Sequence, residues 1–218
     1  MPNTYREMRW CADIGMYAID RPIPETCVHA TDYCLEHCYN VKLYRMYPAM
    51  EGKDKRNEEA WQSLDPAVLN STLDRKRKPT ERFRLMTRGE AFRDHSDVDR
   101  VVDLANAMPQ RLVWIPTRAW REPLLRIRLE QEVATLDNVA LHASLDPSNT
   151  EEEWLDLVSA GWSTMYFGRP GEGWDGPPDG FLCPKTYRKL KGHCDICKAG
   201  CFAPNLLSRR VDVLLKEH

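Results

Sequence analysis

Three thiols and two histidines fall within thirteen residues in CVHATDYCLEHCY, Cys27 to Tyr39, with the spacing C-x6-C-x3-C. Three cysteines this close on one loop can hold three irons of a cubane cluster and leave the fourth open, or supply three of the four ligands of zinc. His29 and His37 could ligate too, but three thiols suffice, so they read as outer partners of the ligands or as exposed groups. A second group, Cys183, Cys194, Cys197 and Cys201, has the spacing C-x10-C-x2-C-x3-C. Four thiols complete a site unaided, either a structural Zn(Cys)4 knuckle or a fully ligated second [4Fe-4S] cluster. His193, next to Cys194, reads as solvated or as an outer partner. Cys11 stands apart from the other thiols and reads as a small buried hydrophobe.

The rest of the chain has to aim these loops. Its 218 residues suffice for a sizeable core, and the formal charge of -2 advertises no global basic field for nucleic acid. Neither a leader nor an apolar span long enough for a bilayer stands out, so a cytoplasmic protein is expected. In a reducing cytosol eight cysteines point to metal before disulfides. A disulfide-stapled secreted fold is the minor alternative. No Ser-His-Asp order, P-loop or H-E-x-x-H motif supports a hydrolase or a nucleotide triphosphatase.

Apolar periodicity places the elements. Met8 to Tyr17 reads as a strand that ends before Pro22 and Pro24. Val41 to Met50 reads as a short helix, and Glu58 to Lys78 as a longer one that Pro66 can break. Strands are then predicted at Phe83–Thr87, Arg111–Thr117, Val139–Leu145, Thr164–Phe167 and Val211–Leu215. Between them helices are predicted at Asp97–Met108, with Ser96 or Asp97 as cap, at Glu122–Leu136 and at Thr150–Ala160. The glycine- and proline-rich stretch GRPGEGWDGPPDG reads as a linker. This alternation predicts a parallel α/β sheet of about six strands with helices outside, an open or partial (βα)6-like barrel. Residues 1–169 would form the βα domain, and 170–218 a small Cys-rich module with a final strand.

In such folds chemistry gathers at the C-terminal ends of strands. That rule selects Cys27, Cys34 and Cys38, then Arg88, Gly89 and Glu90, then Thr117, Arg118 and Trp120, then Ser144 and Asp146, and last Arg169. Each has a blander reading: a loop acid for Glu90, a helix cap for Ser144 or Asp146, a surface ion pair for Arg118 or Arg169, and core packing for the tryptophans. By alternation His142 shares a strand face with Ser144 and Asp146, as a pocket residue or as a hydrogen-bonded core histidine.

The cysteine loop, the glycine and acid after the second strand and the βα rhythm resemble the radical S-adenosylmethionine superfamily. That resemblance implies a partial TIM barrel whose three-cysteine [4Fe-4S] cluster binds the amino and carboxylate groups of S-adenosylmethionine at its open iron. Arg88-Gly89-Glu90 resembles the Gly-Gly-Glu-type motif that contacts the methionine amino group, and Ser144 and Asp146 would lie nearer the ribose. More narrowly, CVHATDYCLEHCYN, FRLMTRGEAF, VWIPTRAW, LHASLD and the CPK…CDICKAGCF ending are similar to a phage and plasmid family known as gene product 88. Companion clusters recur in C-terminal extensions of radical-SAM-like proteins, which favours iron and sulfide over zinc at the second group. The spacing departs from the superfamily's usual C-x3-C-x2-C, which weakens the cofactor inference more than the cluster inference. The expected partners are a small-molecule cofactor and a reductant protein. The rival is a non-catalytic, metal-stabilised protein that binds DNA or a host factor through Arg75-Lys-Arg-Lys78 and Arg209-Arg210; between them stands an electron carrier whose first cluster takes Asp32 or His37 as fourth ligand.

Overall fold

A computed structural model describes residues 8–12, 14–63, 65–188, 194, 197, 199–204 and 210–216. The strands are β1 (Arg9–Cys11), β2 (Met16–Ile19), β3 (Arg82–Leu85), β4 (Leu112–Thr117), β5 (Val139–Leu145), β6 (Ser163–Gly168), β7 (Phe181–Leu182) and β8 (Asp212–Lys216). The helices are α1 (Asp32–Glu36), α2 (Tyr39–Met46), α3 (Pro48–Gln62), α4 (Pro66–Asp74), α5 (His95–Ala107), α6 (Pro123–Arg128), α7 (Glu151–Ser159) and α8 (Pro184–Arg188).

One sheet frames the molecule, in the order β1-β2-β3-β4-β5-β6-β8-β7. β1 runs antiparallel to β2, and every other neighbouring pair is parallel. The sheet is mixed α/β with eight strands, not about six, and it does not close into a barrel, since β1 and β7 remain its edges. The strand expected over Met8–Tyr17 is a hairpin, because Gly15, at φ 68°, turns the chain between β1 and β2. Between Met46 and Pro66 the helix boundaries also differ. α3 begins at Pro48, and the break before Pro66 comes where Asp65 caps α4 by accepting from Ala67 N and Val68 N.

Alternation along the strands separates two cores. In β3, Phe83 and Leu85 are fully buried against the helices, while Arg82 and Arg84 take the other face. The helix side gathers Tyr17, Ile19, Val113, Ile115, Leu141 and Leu145 with the apolar stripe Val98, Val101 and Leu104 of α5 and Met108 at its C-cap. Each fully buried side chain of this size contributes roughly 1.5–3 kcal/mol. The opposite face carries Met16, Trp114, Ala140, Met165 and Val213, covered by Phe202 and by Cys183, Cys194 and Cys201. The C-terminal stretch is thereby tied to the sheet twice, once through that cover and once through β8, which inserts between β6 and β7. No helix among the described residues is long and apolar enough to cross a membrane.

Candidate metal and cofactor site

The first cysteine loop leaves β2 at Asp20 and Arg21, and both side chains fold back as anchors. Asp20 Oδ1 accepts from the backbone N–H of Thr87 at 2.7 Å and of Arg88 at 3.0 Å, fixing the loop after β3. Its Oδ2 pairs with Arg9 at 2.7 Å and Arg88 at 2.9 Å. Burial alone would raise this carboxyl, but Arg88, Arg9 and the hydrogen bond from Thr87 outweigh it and hold the group below the ordinary carboxylate range. Arg21, fully buried, spans Glu58 on α3 and Asp97 on α5 and donates to the carbonyls of Glu90 and Ala91.

Further along, Thr31 caps α1. Its Oγ1 accepts from Cys34 N at 2.9 Å and donates to Asp146 Oδ2 beyond β5. Arg118 pairs with that same oxygen at 2.8 Å. Cys34 sits within α1, and Cys38 stands at the N-cap of α2. Cys27, Cys34 and Cys38 line one cavity of about 240 Å³ together with Arg88, Gly89, Glu90, Thr117, Arg118 and Ser144. It lies at the C-terminal ends of β2 to β5, the end at which the parallel sheet was expected to assemble its chemistry.

Position in that wall and availability differ from residue to residue. Arg88 spends its guanidinium on Asp54, through bonds of 2.6 and 2.8 Å, and on Asp20. Gly89 holds φ +75°, and a Cβ there would stand 2.6 Å from the Arg21 carbonyl and 2.7 Å from Thr26 Oγ1. Glycine is therefore what lets the loop after β3 close on the segment leading to Cys27. Glu90 Oε1 accepts from Ala91 N, Phe92 N and Thr117 Oγ1, and Oε2 from Arg118 N at 2.9 Å, leaving one lone-pair direction on Oε2 for a ligand. Ser144 lines the cavity. Asp146 is fully buried behind the wall, where Thr31, Ser148 and Arg118 hold it; burial raises its carboxyl, and these partners, Arg118 foremost, bring it below its ordinary range.

Two of these thiols are desolvated. Burial pushes the Cys27 thiol up, and the charges of Glu90, Cys34 and Cys38 push it further. Cys34 is raised by burial against the pull of Arg118. Thiols so placed ionise only where a cation compensates them. Among the described residues no three His, Cys, Asp or Glu side chains converge tightly enough to hold a single metal ion. A cubane makes a different demand, because each thiolate binds a separate iron and the sulfurs can stand wider apart. Three partly buried thiols around one cavity fit that donor set in type and number.

The second group has a similar character. Cys183, Cys194, Cys197 and Cys201 line a larger cavity on the inner sheet face. Burial, with the charges of Cys194, Cys197 and Cys183, raises the Cys201 thiol to about 12. His142 Nε2 donates to the Cys201 carbonyl at 2.9 Å, so this histidine ties β5 to the cysteine segment; burial keeps it neutral, with its pKa lowered to about 4.

Most of the other expected residues lie outside both cavities. Arg169 faces solvent and pairs with Glu172. His29 contacts the Arg93 carbonyl at 3.2 Å, and His37 stacks on Tyr33 at 4.2 Å while touching the first cavity. The basic run from Arg75 to Lys78 precedes β3, at the opposite end of the sheet from the thiols, and Arg210 pairs with Asp212. His193 and Arg209 lie outside the described residues. Asp94 caps α5 where Ser96 or Asp97 was expected, and Asp97 is instead a buried hub for Arg21, Trp61 and Arg100. Sequence reading missed Asp20, Arg21, Thr31, Asp54 and Asp97. The available signal was the charged pair Asp20-Arg21 directly after an apolar strand, at the end where sites form.

No curated protein and no solved structure matches the chain. A family model described as gene product 88 matches residues 10–167, stopping short of the second cysteine group, which had been expected to carry part of the likeness. Since that match takes in the first cysteine loop and most of the chain, the protein belongs to the gene product 88 family.

Proposed function

We propose that the chain is an iron-sulfur protein of the radical S-adenosylmethionine kind, its open sheet a partial barrel, with one [4Fe-4S] cluster on Cys27, Cys34 and Cys38. A second cluster is assigned to Cys183, Cys194, Cys197 and Cys201. The observation that carries this reading is the gathering of the three thiols, Arg88-Gly89-Glu90 and Ser144 around one cavity at the C-terminal ends of parallel strands. Bound there, a cluster with one open iron would supply the electron that cleaves S-adenosylmethionine to methionine and a 5′-deoxyadenosyl radical, which takes a hydrogen atom from a substrate.

The chain's own residues position and select. Thr31, held by Asp146, fixes α1 and with it Cys34. Gly89 permits the close approach that brings Glu90 to the thiols, and Glu90 Oε2 offers one acceptor direction to an ammonium group. Ser144, in the wall of the same cavity, would meet a ribose hydroxyl of the cofactor. Met165 and Phe167 give the cavity an apolar side that limits water.

A second reading, an electron carrier without cofactor chemistry, is favoured by how fully Arg88 and Asp146 are engaged by protein partners. Electron paramagnetic resonance of the anaerobically reconstituted, dithionite-reduced protein separates the two, with iron and zinc counted in parallel. A cluster signal whose g-values shift on adding S-adenosylmethionine is the expected result. A signal indifferent to it leaves the carrier, and zinc in place of iron removes both.

A further inference from the structure

The larger cavity, about 480 Å³, is the one that the second cysteine group lines, and it shares Tyr39, Asn40, Arg84 and Met165 with the smaller one. Its charge is one-sided. Arg9, Arg84, Arg88, Lys185 and Lys216 line it, and no Asp or Glu does among the described residues. A chain of formal charge -2 has therefore gathered cations around one internal space. Arg9 and Arg88 are neutralised by Asp20 and Asp54.

Arg84 is different. Its Nε donates to the Met86 carbonyl at 3.1 Å, its guanidinium lies 4.2 Å from the centre of the Trp114 ring, and it forms no ion pair with a carboxylate among the described residues. The stacking fixes the orientation of the planar fork, and no carboxylate among the described residues pairs with its charge. Beside it the Trp114 indole, more than nine-tenths buried and lining the same cavity, has its Nε1 proton unused among the described residues, and Arg82 Nη1 on the same strand face is likewise buried without a partner among them. Unused buried donors next to an uncompensated guanidinium are a costly arrangement unless an acceptor arrives to use them. The rest of the wall holds the four thiols of the second cysteine group and an apolar side from Ile14, Met165, Phe167, Phe202 and Val213.

We propose that this cavity takes a small organic anion, a carboxylate or a phosphate ester with an apolar body, whose charge pairs with Arg84. That the anion is the substrate rests on the functional reading above, since the same arginine also borders the cavity of the first cysteine group. Arg84 then acts as a binding residue that sets substrate class, and the apolar wall holds the body of the molecule.

Isothermal titration of the full-length, anaerobically reconstituted protein with phenylacetate, phenyl phosphate and the neutral phenylacetamide tests this. One anionic probe is expected to saturate a single site at least tenfold more tightly than phenylacetamide, and the better of the two names the head group. Arg84→Gln should weaken that probe at least tenfold, and the distant, exposed Arg77→Gln should not. Equal binding of charged and neutral probes by the unaltered protein overturns the proposal, and needs no variant to fold. So does a folded Arg84→Gln protein with undiminished anion affinity but altered iron content, which would assign the arginine to the second cysteine group alone. Anion binding by a protein that takes up no iron would remove the cluster reading and leave the anion site standing.

Discussion

At the scale of single residues, Gly89 and Asp97 carry consequences out of proportion to their size. A Cβ at Gly89 meets the Arg21 carbonyl and Thr26 at under 3 Å, on a backbone that disfavours any other residue by roughly 1–2 kcal/mol before the collision is counted. Gly89→Ala is expected to lower the unfolding free energy in urea by about 2 kcal/mol or more and to reduce iron retained by the first loop. An unchanged urea midpoint would show that the two loops separate freely. Asp97, fully buried, is the only carboxylate that meets both Arg21 Nη1 and the Trp61 indole among the described residues. Removing one member of a buried pair strands the other charge, so Asp97→Asn should cost about 3–5 kcal/mol by the same measurement. A loss below about 1 kcal/mol would mean that Glu58 alone suffices for Arg21.

At the scale of elements, the question is what holds the first loop to the sheet. Thr31 both caps α1 and reaches Asp146, so Thr31→Val removes a cap worth about 1 kcal/mol and a bridge between elements. Hydrogen exchange should speed up at residues 33–36 and stay unchanged in β5; equal protection in both proteins would contradict this. The anchor at the start of the loop sets an acid limit. Asp20 and Glu58 are each raised by burial but lowered overall, Asp20 chiefly by Arg88 and Arg9, and Glu58 by its hydrogen bond and charge contact with Arg21. Groups whose folded pKa is depressed contribute stability that is complete above their unfolded values, about 4, and is lost as pH falls through the folded ones. Thermal stability should therefore be insensitive to these two groups between about pH 5 and 7 and fall below about pH 4. Asp20→Asn should flatten that acid limb, and an acid limb of unchanged depth would place the sensitivity elsewhere.

For the molecule as a whole, the two cysteine groups occupy separate cavities that meet at Arg84, while β8 ties the C-terminal stretch into the one sheet. If each group holds its own cubane, replacing Cys27, Cys34 and Cys38 together by Ser should remove about four irons per chain and leave about four. Replacing Cys183, Cys194, Cys197 and Cys201 should do the converse. Loss of all iron from either variant would mean one shared site. Val213→Asp acts on a different property, since it buries a charge at the centre of a parallel strand and should unfold the sheet, abolishing the cooperative thermal transition.

The sequence by itself determined the parts whose information is local. Strand periodicity located β5 to the residue and β4 and β6 within one, because buried parallel strands are written as short apolar runs. Cysteine spacing picked out both thiol groups, and the strand-end rule brought Glu90 and Ser144 to the first of them. Only the tertiary structure decided which charges are spent. Asp146 and Arg88 look as free as Glu90 in the sequence, yet each is engaged by partners that lie from two to more than a hundred residues away. It also decided that Arg84 lies on the inner face, where it stacks on a tryptophan with no carboxylate among the described residues to answer it. Local pattern records which side of a strand a residue takes, whereas the pairing of a buried charge depends on loops that meet only when the sheet has formed.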